Sequence, residues 1–175
     1  HNKNEDIYDG ARIMTQPENP NNNTPQTPRK LRRVSFTDAR ILIAAAEGKM
    51  DMMKSCIENG RSIETLYRRG ETPLILAVQS EEIEMVQFLI EQKANIHHID
   101  DLGLTPLCYA LMGDKPEIVQ TLVDQGADIY HKIPKTGQSL IDFVRDNDEV
   151  RSEVKSILEQ AQKEQRQILQ KSQKI

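Results

Sequence analysis

Ser35 is the hydroxyl with the most suggestive neighbourhood in this chain. Arg32-Arg33-Val34-Ser35 has the pattern of a basophilic-kinase site of the cAMP-dependent type, and Thr27-Pro28-Arg29-Lys30 has that of a proline-directed site, with Thr24-Pro25 a weaker one. Ser35 and Thr27 are therefore the expected phosphoacceptors, each gaining a charge of about −1.5 to −2 and three strong acceptor oxygens if modified. Other reactive side chains are sparse. His97-His98 has no further ligand at metal-binding spacing and reads as a solvated loop pair. Cys56 and Cys108 sit in apolar, helix-like contexts, as expected of buried, reduced thiols in a reducing compartment. No Ser/His/Asp or Cys/His set, phosphate-cradling glycine loop or metal motif stands out, so a non-catalytic protein without a cofactor is expected.

The elements that must hold Ser35 begin just after it. Only 37% of the 175 residues are hydrophobic, so a core is expected in part of the chain. The net charge of −4 gives no overall attraction to nucleic acid, although Arg29, Lys30, Arg32 and Arg33 form a local basic cluster. No apolar run is long enough to span a membrane, and the polar, acidic start shows no secretory leader. The expected location is the cytoplasm, with the nucleus also open. Residues 1–13 are open to reading as a leader ahead of a native start at Met14 and are set aside. Residues 1–30 are expected to form a disordered tail, because 14–30 are rich in Asn, Pro and Thr.

A repeat organises the middle of the chain. "GETPLILAV" at Gly70–Val78 returns as "GLTPLCYAL" at Gly103–Leu111, 33 residues later. Val86, Leu89 and Ile90 map by the same interval onto Val119, Leu122 and Val123. Each copy predicts a helix pair. Thr72 and Thr105 can cap a first helix with Pro73 and Pro106 at its opening position, where a missing N–H is harmless. The second helix carries an apolar stripe such as Ile83, Val86, Leu89 and Ile90. Gly60 and Gly126 fall where a left-handed residue ends a helix, and Lys93 in the equivalent slot predicts a different ending there.

This pattern resembles the ankyrin repeat, marked by G-x-T-P-L-H-x-A. Both copies lack the His, with Ile75 and Cys108 in its place, so the hydrogen bond that the resemblance implies for that side chain is expected to be absent. Residues 37–69 read as a divergent first repeat, with Asp38 as the candidate cap. "GQSLIDFV" at Gly137–Val144 begins a degenerate fourth repeat whose interval slips to 34 residues. From Glu149 the chain reads as one helix with Val150, Val154, Ile157, Ala161, Ile168 and Ile175 as a stripe that thins after Ala161. The expected fold is thus all-α: an ankyrin-repeat solenoid of about four repeats over 38–160, a helical extension over 161–175 and the tail in front.

By the resemblance, such a stack binds proteins through its hairpin tips and concave face. Tip candidates are Tyr67, Arg68 and Arg69, then Ile99–Leu102 and Lys132–Thr136. Concave-face candidates are Leu76, Gln79, Tyr109 and Met112. A second, unidentified protein partner is expected on that face.

Residues 31–37 form a candidate linear motif. Arg33-Val34-Ser35-Phe36 resembles the docking motif of regulators of the type-1 serine/threonine protein phosphatase: a basic residue, then Val or Ile, any residue, then Phe or Trp. Its place directly before repeat one, with Phe36 eight residues ahead of Ala44, is similar to that in myosin phosphatase targeting subunits and their short relatives. The resemblance implies a strand added to the edge of a sheet on the catalytic subunit. Val34 and Phe36 would then enter two apolar pockets while Ser35 points away, and the arginines would steer the segment to an acidic surface. With fewer repeats than the myosin-targeting members, this chain is not expected to reproduce their extended cradle. The other readings are a generic ankyrin adaptor with a merely basic tail, or Val34 and Phe36 as a flap on the first repeat's apolar edge.

Overall fold

The computed structural model describes residues 32–173. Those residues form eight helices: α1 (Phe36–Ala46), α2 (Met50–Glu58), α3 (Pro73–Gln79), α4 (Ile83–Glu91), α5 (Pro106–Met112), α6 (Pro116–Asp124), α7 (Leu140–Asp146) and α8 (Ser152–Ser172). They pair in chain order as four helix–turn–helix units. α1, α3 and α5 pack side by side, and α8 lies against α6 and α7. Among the described residues the only sheet-like feature is one antiparallel bridge, Lys132 to Ser139. The expected tail, with Thr24, Thr27, Arg29 and Lys30, lies outside the described residues.

Each unit drives its core into the next. Ile41, Leu74, Leu107 and Ile141 occupy equivalent turns of α1, α3, α5 and α7, and all are buried. Each repeat buries its apolar side only by stacking, so stability is shared between neighbours.

The first helices start on hydroxyl caps. Thr72 Oγ1 accepts from Ile75 N at 3.3 Å and Thr105 Oγ1 from Cys108 N at 3.4 Å, with the prolines at the opening positions as expected. The outer repeats use another device. Ser35 Oγ accepts from Asp38 N at 3.1 Å and donates to the Asp38 carboxylate at 2.7 Å; Ser139 and Asp142 repeat the arrangement. The cap of α1 is therefore Ser35 and not Asp38. The slot equivalent to Thr72 is Ala39, which has no side-chain acceptor. The helix runs back one further turn to Ser35, and Asp38 instead places its charge in the first turn.

Two more expectations are corrected here. Lys93 does not end α4 differently: at φ +67 it takes the left-handed conformation of Gly60 and Gly126, and its N–H reaches Ile90 O at 2.9 Å, as Gly126 N reaches Val123 O. The backbone needs that turn to satisfy the last carbonyls, and a lysine is forced into it. The last helix begins at Ser152 rather than Glu149. Its buried residues are Val154, Leu158 and Ala161, so the true stripe includes Leu158, while Val150 and Ile157 are half-buried. Beyond Ala161 the side chains are mostly exposed, among them Ile168 and Leu169. The 34-residue slip is accommodated at a tip: Ile133 N bonds to Gln138 O, one residue further than Asp100 N to Leu104 O.

Candidate protein-binding surfaces

The segment Arg32–Phe36 is built from two conformations meeting at Ser35. Ser35 is extended (φ −68, ψ 155), and the helix begins at Phe36. Val34 is half-buried against the apolar core, whereas Phe36 is 87% exposed. The two side chains that a strand would align are thus turned to different surroundings, and only Val34 forms a flap on the first repeat. Arg33 is exposed.

Arg32 ties this segment to the hairpin tips. Its N–H donates to Arg68 O at 3.1 Å, and its Nη1 lies 2.6 Å from Asp101 Oδ2. The tip Tyr67–Arg69 is held from both sides, because Asp101 N donates to Arg69 O at 2.8 Å. Tyr67 is half-buried with the Arg68 guanidinium 5.6 Å from its ring centre, and Arg68 is exposed. Arg69 N donates to the Glu71 carboxylate at 2.7 Å. Tyr67, Arg68 and Arg69 are therefore adjacent to Arg32 in space as well as to one another in sequence.

Other candidates are placed less favourably for contact. Tyr109 is buried, and its hydroxyl donates to the Asp100 carboxylate. The expected concave-face tyrosine thus serves the interior. Asp100 is itself 94% hidden, with Oδ1 accepting from Leu102 N and Leu104 N, so within Ile99–Leu102 only Ile99 and Leu102 are markedly exposed. Ile133 is buried inside the Lys132–Thr136 tip, where Lys132, Pro134, Lys135 and Thr136 are exposed. Leu76, Gln79 and Met112 are half-buried. Tyr130, 44% exposed, is a surface aromatic that no pattern in the sequence singles out.

His97-His98 is not a solvated pair. His98 Nε2 lies 2.7 Å from Gly70 O, and His131 Nε2 lies 2.8 Å from Gly103 O. A carbonyl only accepts, so in each ring Nε2 carries the proton. These bonds join each tip to the preceding one. The signal is present in the sequence: His98 and His131 are one 33-residue period apart.

The cysteines are free and buried. Burial pushes the Cys108 thiol above its ordinary range despite a hydrogen-bond contact with Thr105 that lowers it. Cys108 Sγ lies 3.3 Å from Thr105 Oγ1, so the sulfur partly restores the side-chain contact expected to be lost with the missing His, which Ile75 cannot do. Among the described residues no group of three His, Cys, Asp or Glu is placed to hold a metal ion, and no helix is long and apolar enough to cross a membrane.

The profile of the family described as Ankyrin repeats (3 copies) matches residues 41–133, just over half of the chain. The chain belongs to the ankyrin-repeat family. Its stack is a protein–protein interaction module of a kind that is generally non-catalytic. No curated protein matches the chain closely enough to stand as a relative.

Proposed function

We propose that this protein is a regulatory or targeting subunit that docks the catalytic subunit of a type-1 serine/threonine protein phosphatase through Arg33, Val34 and Phe36. The observation that carries the reading is Phe36: a phenylalanine 87% exposed at the start of α1, behind an exposed Arg33, is not packed against the core among the described residues. Apolar anchors entering pockets are typical hot spots. The stack would then shape access to the phosphatase or bring a second protein, with Tyr67, Arg68, Arg69 and Met112 as its contacts. Tyr109 would support that surface from below.

Docking as an added strand requires the first turn of α1 to unwind, because Phe36 and Thr37 are helical. Phosphorylation of Ser35 would oppose docking by setting a dianion within the docking strand and drawing Arg32 and Arg33 to itself. Thr27 is the second proposed acceptor. The proposed location is the cytoplasm, with the nucleus open.

A displacement assay tests the reading. A synthetic peptide of residues 29–37 should compete with the full chain for purified catalytic subunit, and a peptide with Ala at 34 and 36 should not. Equal competition by the two peptides would dismiss the motif. The alternative, an ankyrin adaptor with no phosphatase link, is favoured by one observation: Val34 and Ser35 already serve the fold as packing residue and helix cap.

A further inference from the structure

The contacts around Arg32 form a seat. Gly70 is its floor: a Cβ there would come 2.9 Å from Arg32 Nη1 and 3.0 Å from Asp101 Oδ1, so a side chain at position 70 would crowd the pair. Asp101 is the wall, its carboxylate 2.6 Å from the guanidinium. Arg68 O takes the Arg32 N–H. Asp101 is itself fixed, since its own N–H bonds to Arg69 O across the two tips. Immediately downstream, Val34 is packed on the core and Ser35 is engaged as the cap of α1.

A docking strand needs the same residues in another form. Val34 must leave the core, Ser35 must release Asp38 N, and Phe36 must become extended so that its ring lies on the side of Val34. Both states cannot hold at once. We propose that the ankyrin stack occupies its own docking motif: the seat made by Gly70, Arg68 and Asp101 holds Arg32 and so keeps the segment closed, and the phosphatase must displace it. This inference rests on the docking reading above. Docking by the intact chain is then weaker than docking by the free motif, and any event that loosens the second hairpin tip strengthens it.

Asp101 gives a clean handle, because it lies 69 positions from Arg32 and outside the motif. The test compares the full-length chain with its Asp101→Asn variant by hydrogen exchange at the Arg32 amide and by calorimetric titration of the phosphatase catalytic subunit. Loss of the partly exposed Arg32–Asp101 pair should speed exchange about two- to fivefold and tighten docking by a similar factor. Unchanged exchange would overturn the seat. Faster exchange with unchanged affinity would overturn the competition while leaving docking in place. If the wild type, the variant and a free 29–37 peptide all fail to bind, the docking reading falls and the competition with it, and the exchange data still decide the seat.

Discussion

His98 and His131 stand one repeat apart and make the same bond, each ring Nε2 reaching back 28 positions to the carbonyl of a tip glycine, Gly70 and Gly103. Each fastens one tip to the tip before it. Because Gly70 is buried, removing the ring leaves its carbonyl without that donor. His98→Ala should destabilise the stack by about 1–2 kcal/mol. Urea unfolding checks it through the midpoint at constant slope. An unmoved midpoint would show that water replaces the ring at no cost.

Lys93 holds a conformation suited to glycine. A left-handed backbone costs an ordinary residue roughly 1–2 kcal/mol, part of which glycine gives back through its freer unfolded chain. Lys93 is exposed, so little packing is at stake. Lys93→Gly should raise stability by about 0.5–1 kcal/mol, visible as a higher thermal midpoint. A lower midpoint would mean that the lysine side chain supplies an interaction of greater worth than the strain.

These two positions separate what is legible in the sequence from what is not. The 33-residue period carries the helix pairs, the caps at Thr72 and Thr105 and the buried leucines, because apolar periodicity and Thr-Pro starts are local signals. It pairs His98 with His131 but does not show which atoms their rings reach, because that depends on how neighbouring tips stack. Lys93 misleads because the ending of α4 is imposed by its carbonyls and by the chain beyond it, and overrides residue preference. The burial of Tyr109 goes with its bond to Asp100, nine positions earlier. In the docking segment, residue types and spacing are legible, whereas the Arg32–Asp101 pair, spanning 69 positions, has no sequence signature.

Burial also sets the chemistry of Cys108. Its thiol stays protonated in the fold at a pH where the unfolded chain's thiol ionises. The folded state therefore holds more protons than the unfolded state, and stability falls as pH rises from the ordinary value of 9.0 toward the higher folded value. Cys108→Ala should flatten the alkaline limb of stability against pH, and a neutral-pH thiol reagent should label Cys108 only as fast as the chain opens. Rapid labelling of Cys108 in the native protein would contradict its placement.

Phe36→Ala is the most direct test of the docking account, because it separates binding from folding. Val34 contributes to the core, so its truncation disturbs the first repeat as well as the motif. Phe36 is 87% exposed, and its loss should leave the melting midpoint of the stack almost unchanged. The measurement is a calorimetric titration of the phosphatase catalytic subunit with wild type and Phe36→Ala. The account predicts one-to-one binding by the wild type and a loss of about 2 kcal/mol or more, roughly thirtyfold or greater, in the variant. Equal affinities for the two proteins would contradict it.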